Sequence, residues 1–68
     1  MPLSARNHLQ GEITDVVLGT VTALVTLKVG NHVVESVITR RSAEEMKLKK
    51  GDKVTAVVKA TEVMIQKD

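Results

Sequence analysis

Apolar and polar positions alternate over residues 20–29, TVTALVTLKV, so that Val21, Ala23, Val25, Leu27 and Val29 share one face and Thr22, Leu24, Thr26 and Lys28 the other. A period of two is the signature of a half-buried strand. Gly30 and Asn31 follow as a turn pair, and residues 32–39, HVVESVIT, alternate again, which predicts a hairpin closing at Gly30-Asn31. Upstream, residues 9–18 read as another strand that ends at Gly19, with Gly11 a candidate bulge or barrel bend. The period breaks in RRSAEEMKLKKGD. Ser42 followed three residues later by Glu45 has the spacing of a capping box, which predicts a short helix starting after Ser42, running through Met46 towards Leu48 and ended by Gly51. Lys47, Lys49 and Lys50 then fall near its C-terminal end, where the helix dipole favours cations. Strand character returns over residues 53–60, KVTAVVKA, and residues 61–67, TEVMIQK, read as its continuation or as a fifth strand.

The order β-β-β-α-β-β predicts a mainly β protein: a small five-stranded OB-like barrel with one short helix, a single domain over residues 1–68. Composition agrees, because the 43% apolar fraction contains no Phe, Tyr or Trp and is dominated by valine, a residue suited to pleated surfaces. A chain of this length buries only about 60% of its unfolded surface. With no cysteine to supply disulfides or thiolate metal sites, partner subunits are the remaining support. Leu24 opposes the Val21 stripe and Val57 opposes Val54, Ala56 and Val58. A small barrel has one interior, so these outward residues predict association with further copies of the chain. Residues 1–10 hold no apolar run, and no stretch approaches the roughly 18 apolar residues of a membrane span, so the expected setting is cytoplasmic, without a membrane partner.

Enzymatic chemistry has little support. His8 and His32 are the only histidines and no Ser-His-Asp order is evident; Asp15, Glu35 and the Glu44-Glu45 pair lack the spacing of calcium or zinc motifs. Neither a catalytic cofactor nor a direct cation ligand is expected. Nucleic acid is the alternative, since the net charge is +2, Arg40-Arg41 could touch phosphates, and LKKGDKV is similar to AbrB-like DNA-binding transcription regulators. The aromatic platforms on which OB-type barrels stack single-stranded bases are nevertheless missing.

What stands out is a set of hydrogen-bond donors. Ser4, Arg6 and Asn7 lie at the start, Thr39 and Ser42 at the predicted strand-to-helix junction, and Lys59 and Thr61 near the end, with no carboxylate among them. Taken singly, Ser42 is a helix cap, Thr39 a strand end, and Arg6 and Lys59 solvated charges. Taken together, they suit a small anion.

SARNHLQGEI at residues 4–13, the hairpin GTVTALVTLKVG, VITRRSAEEMKLKKGD and VVKATEVMI together resemble the molbindins, the small molybdopterin-binding-like (Mop) proteins and domains that bind molybdate and tungstate. The resemblance covers nearly the whole chain. It implies an OB-like barrel, a homohexamer built as a trimer of dimers, and oxyanion pockets at subunit interfaces. Carried over by position, Ser4 and Arg6 of SARN with Lys59 and Ala60 of VKAT would form one wall, and Thr39 and Ser42 of ITRRS the facing wall from a neighbouring subunit. Some relatives have serine where Ala60 stands, so only the Ala60 N–H could serve here. The implied function is storage and homeostasis of cytoplasmic molybdate or tungstate, without catalysis. A donor-only cage fits these dianions, which carry no proton at neutral pH. Phosphate keeps a proton with no acceptor to receive it, a mismatch of roughly 1–3 kcal/mol. Sulfate must be excluded by its smaller size.

Overall fold

The computed structural model describes residues 3–68 and contains four strands, β1 (Asn7–Leu18), β2 (Thr22–Val29), β3 (His32–Thr39) and β4 (Lys53–Val58), with one helix, α1 (Arg40–Glu45), before β4 and a single 3₁₀ turn, Ala60–Glu62, after it. All pairings are antiparallel and the sheet order is β3-β2-β1-β4. The β2–β3 hairpin closes on two residues, as the alternation predicts, with Val29 opposite His32. Gly30, at φ +60°, takes the first central position, where a left-handed residue matches the twist of the flanking strands.

The core sits on the inner face of β2. Ala23, Val25 and Leu27 are buried there with Ile13 of β1, and Val16, Val34, Ile38, Leu48, Val54 and Ala56 pack around them. Val21 does not join this stripe. Gly19 N–H donates to Thr22 O at 2.8 Å, a turn that lifts Val21 out of the ladder and leaves it 71% exposed.

β1 changes phase part-way. Its register to β2 skips a residue between Ile13 and Asp15, so Ile13 faces Leu27 while Val16, not Asp15, faces Val25. This bulge lies around Thr14 and not at Gly11, as expected from the sequence. Gly11 is needed for clearance: a Cβ there would stand 2.6 Å from Lys28 O and 2.9 Å from Val29 Cγ2. At the bulge Ile13 turns its backbone to the loop before β4, donating to Asp52 O at 2.9 Å and accepting from Gly51 N at 2.8 Å.

The helix also starts earlier than the capping-box reading. Thr39 is the N-cap, its Oγ1 accepting from Ser42 N at 3.0 Å, and Ser42 lies inside the first turn. The strand-to-helix junction selects Thr39, because Arg40 N–H is bound to Val21 O at 2.8 Å and its guanidinium to Gly19 O at 3.1 Å. Gly51 does not end the helix. Lys47, at φ +54°, ends it, with Lys47 N–H on Glu44 O and Leu48 N–H on Ala43 O, both at 3.1 Å, the bonding of a Schellman motif.

No fifth strand forms among the described residues. Beyond β4 the 3₁₀ turn diverts the chain, and the remaining segment pairs with no edge, leaving Met64 93% and Ile65 87% exposed. The sheet therefore curls without closing into the expected barrel. Between the unpaired β3 and β4 lies an apolar groove of about 240 Å³, walled by Val34 and Ile38 on one side and Val54, Ala56 and Val58 on the other.

Candidate functional site

The β1–β4 ladder brings two distant donor segments together. Asn7 stands opposite Val58, so Ser4 and Arg6, just before β1, lie beside Lys59 and Ala60, just after β4. Two side chains brace this corner. Asn7 Nδ2 donates to Val58 O at 3.3 Å, and His8 Nε2 lies 2.9 Å from Ala5 O. Ser4, Arg6, Lys59 and Ala60 are all exposed. Lys59 precedes the 3₁₀ turn with extended backbone and no side-chain cap bond. Glu62 N–H is bound to Lys59 O at 2.9 Å, whereas the first N–H groups of such a turn, here on Ala60 and Thr61, have no acceptor within it.

Thr39 and Ser42 stand elsewhere. Thr39 pairs with Thr22 beyond the Leu18 end of β1, and Asn7 pairs with Val58 at the other. The 12 residues of β1 lie between the two groups, at roughly 3.3 Å per residue along the strand. The six candidate residues thus form two clusters at opposite ends of the sheet. At the Thr39 end the two hydroxyls are bonded to each other, Thr39 Oγ1 to Ser42 Oγ at 2.8 Å, while Thr39 Oγ1 also accepts from Ser42 N. One hydroxyl proton is left between them for a ligand.

Charge separates the clusters further. Among the described residues Arg6 and Lys59 form no ion pair, whereas Arg40 pairs with Glu44, Arg41 with Glu45, Lys49 with Asp52 and Lys53 with Glu12. The Lys53 ammonium, by its hydrogen bond and its charge, holds the Glu12 carboxyl below its ordinary value of 4.5, with a further contribution from Lys28. Glu62, in the turn after Lys59, is a carboxylate near the donor set that the sequence reading did not weigh. No group of three or more His, Cys, Asp or Glu able to hold a metal cation occurs among the described residues. None of the six candidates lines the apolar groove, nor a second, open cleft of about 640 Å³ near Gln10, Glu12, Lys28, Lys53 and Thr55. The bracing roles of Asn7 and His8 escaped the sequence reading, although both directly follow Arg6.

The fold is a small antiparallel sheet with one short helix, and the candidate donors sit at its exposed strand ends. The TOBE domain family matches residues 3–65. The chain is 46% identical over 66 residues to molybdenum-pterin-binding protein 2 of Clostridium pasteurianum, covering 96% of its own length and 97% of that protein. It superposes on a molybdate binding protein from Sporomusa ovata with a TM-score of 0.95 at 39% identity, covering 98% of this chain and 100% of the other. It also superposes on the cytoplasmic molybdate-binding protein ModG, in a form with molybdate bound, with a TM-score of 0.84 at 38% identity, covering 88% of this chain and 43% of ModG. The chain belongs to the molybdenum-pterin-binding (Mop) family of TOBE domains, a family of binding proteins and not of enzymes.

Proposed function

We propose that this protein binds molybdate or tungstate in pockets between copies of itself and stores the oxyanion in the cytoplasm. The observation that carries the reading is the β1–β4 register, which sets the segment of Ser4 and Arg6 beside that of Lys59 and Ala60, with Arg6 and Lys59 in no ion pair among the described residues. Two positive charges oppose the two negative charges of the ligand, and hydrogen bonds to a charged group contribute roughly 1.5–3 kcal/mol each. Several of them bring affinity into the micromolar range or tighter after desolvation. The donor set serves a fully deprotonated ion, and within it only the hydroxyl oxygens of Ser4, Thr39 and Ser42 could accept the proton of phosphate.

The second wall, Thr39 and Ser42, comes from a neighbouring copy, because each chain holds its own pair at the far end of its sheet. Association has its own support. The apolar groove lies open and Met64 and Ile65 are exposed. On the outer face Val17, Leu24 and Val37 form a continuous apolar row across three strands. We place the copies in a homohexamer, a trimer of dimers, with residues 1–68 acting as one domain. The cytoplasmic setting draws on the description of ModG. A DNA-binding regulator gains no support, since Arg40 and Arg41 are both engaged by glutamates of their own helix.

The test is retention of oxyanions by the purified protein. Calorimetric titration and thermal melting should respond strongly to molybdate and tungstate and little to sulfate and phosphate, while mass in solution reports the hexamer. Folded protein that retains neither molybdate nor tungstate rules the function out.

A further inference from the structure

His8 is exposed, at the second position of β1, outside both proposed walls. Its Nε2 lies 2.9 Å from the carbonyl oxygen of Ala5. A carbonyl oxygen only accepts, so Nε2 carries the hydrogen, in the neutral ring as in the protonated one. Ala5 sits between Ser4 and Arg6. These three residues precede the β1–β4 ladder, whose first rung is Asn7 with Val58, and the bond from His8 reaches back to the middle one of the three.

We propose that His8 is the positioning residue of this wall and, by tethering the Ala5 carbonyl, sets the discrimination between molybdate and the smaller sulfate. The inference rests on the function proposed above. Rejecting a smaller ion of the same charge and shape requires donors that do not follow it inward. A tethered turn holds the Ser4 hydroxyl and the Arg6 guanidinium at the spacing of the larger ion. A loose one lets them close on sulfate and costs ordering entropy with either ligand. Loss of the tether therefore lowers molybdate affinity and, beyond that, lowers the ratio of molybdate to sulfate affinity, which a merely stabilising contact leaves unchanged.

The experiment compares the full-length protein with His8→Leu, which removes the donor, and His8→Gln, whose carboxamide restores one at similar reach. Neither touches the core around Ile13, Val25 and Leu27. Titrations with sodium molybdate and sodium sulfate should give about a fivefold loss of molybdate affinity in His8→Leu, a lowered molybdate-to-sulfate ratio, and recovery of both in His8→Gln. Backbone NMR of the ligand-free proteins should show residues 5 and 6 gaining fast motion in His8→Leu alone. Unchanged motion at those residues overturns the positioning role whatever the ligands do. Changed motion with an unchanged affinity ratio overturns the selectivity role. A wild-type protein that binds no molybdate overturns the function itself, and the NMR comparison still decides whether His8 holds the turn.

Discussion

The two ends of the sheet present donors in opposite conditions. Where β1 begins and β4 ends, Arg6 and Lys59 have no ionic partner among the described residues, and the chain around them is fixed by contacts between segments far apart in sequence, through the Asn7–Val58 rung and the Asn7 carboxamide. Where β3 passes into α1, Thr39 and Ser42 satisfy each other within one helical turn, and the neighbouring arginines are paired with glutamates. A donor already engaged at home has less to offer a ligand. In the proposed site the first end would accordingly supply charge and most of the affinity, and the second one hydroxyl proton beside a helix cap.

The sharpest way to break this contrast is to remove the cations. Arg6→Ala and Lys59→Ala should each lower molybdate affinity about 30- to 150-fold by calorimetry, the equivalent of roughly 2–3 kcal/mol for a lost charged hydrogen bond. The melting temperature without ligand should stay where it is, because both side chains are exposed. A comparable loss from Arg41→Ala, at the other end, would erase the distinction.

Gly11 lies where β1 passes from one neighbour to the other, so it tests whether the two ends depend on one joint. Gly11→Ala should destabilise the fold by roughly 1–3 kcal/mol in urea titration, because the added methyl meets the Lys28 carbonyl, a backbone atom that cannot swing aside. A variant of unchanged stability would mean that β2 yields easily at this point.

Thr39→Val and Ser42→Ala separate cap from ligand contact. The first should cost about 1 kcal/mol of stability through the lost N-cap. The second should cost less stability and lower molybdate affinity about three- to tenfold. The reverse pattern would make Thr39 the contact residue.

The smallest expected effect comes from Glu12. Its carboxyl is held below 4.5 by Lys53, so the pair favours the folded state above that value and the contribution is lost as pH falls through the lower, folded-state pKa. Melting temperatures measured from pH 5 to pH 3 should fall slightly less steeply in Glu12→Gln than in the wild type, an exposed pair being well screened.

The hairpin of β2 and β3 was readable because both strands are half-buried, and burial on one face is what alternation records. The helix start was not, since Thr39 and Ser42 are equally able caps and the choice is made by Arg40 N–H bonding to Val21, a contact outside the helix. Residues 61–67 have strand composition, but a strand exists only against an edge, and beyond the 3₁₀ turn they pair with neither open edge, that of β3 or that of β4. For the site, the residue types were legible as an acid-free donor set. Bringing Arg6 beside Lys59 requires the β1–β4 register, which alternation leaves open, and only the family resemblance supplied it in advance.

Thr14 is the surplus residue of β1, the one position at which two residues face one across the ladder. Deleting an interior residue away from this bulge would turn half of the strand inside out, carrying Asp15 or Glu12 towards the core. Deleting Thr14 would preserve the sidedness of both halves and take away only the added bend and twist that such an insertion introduces. The angle between the cation-bearing corner and the hydroxyl pair is therefore adjustable through a single position, without rewriting the interior.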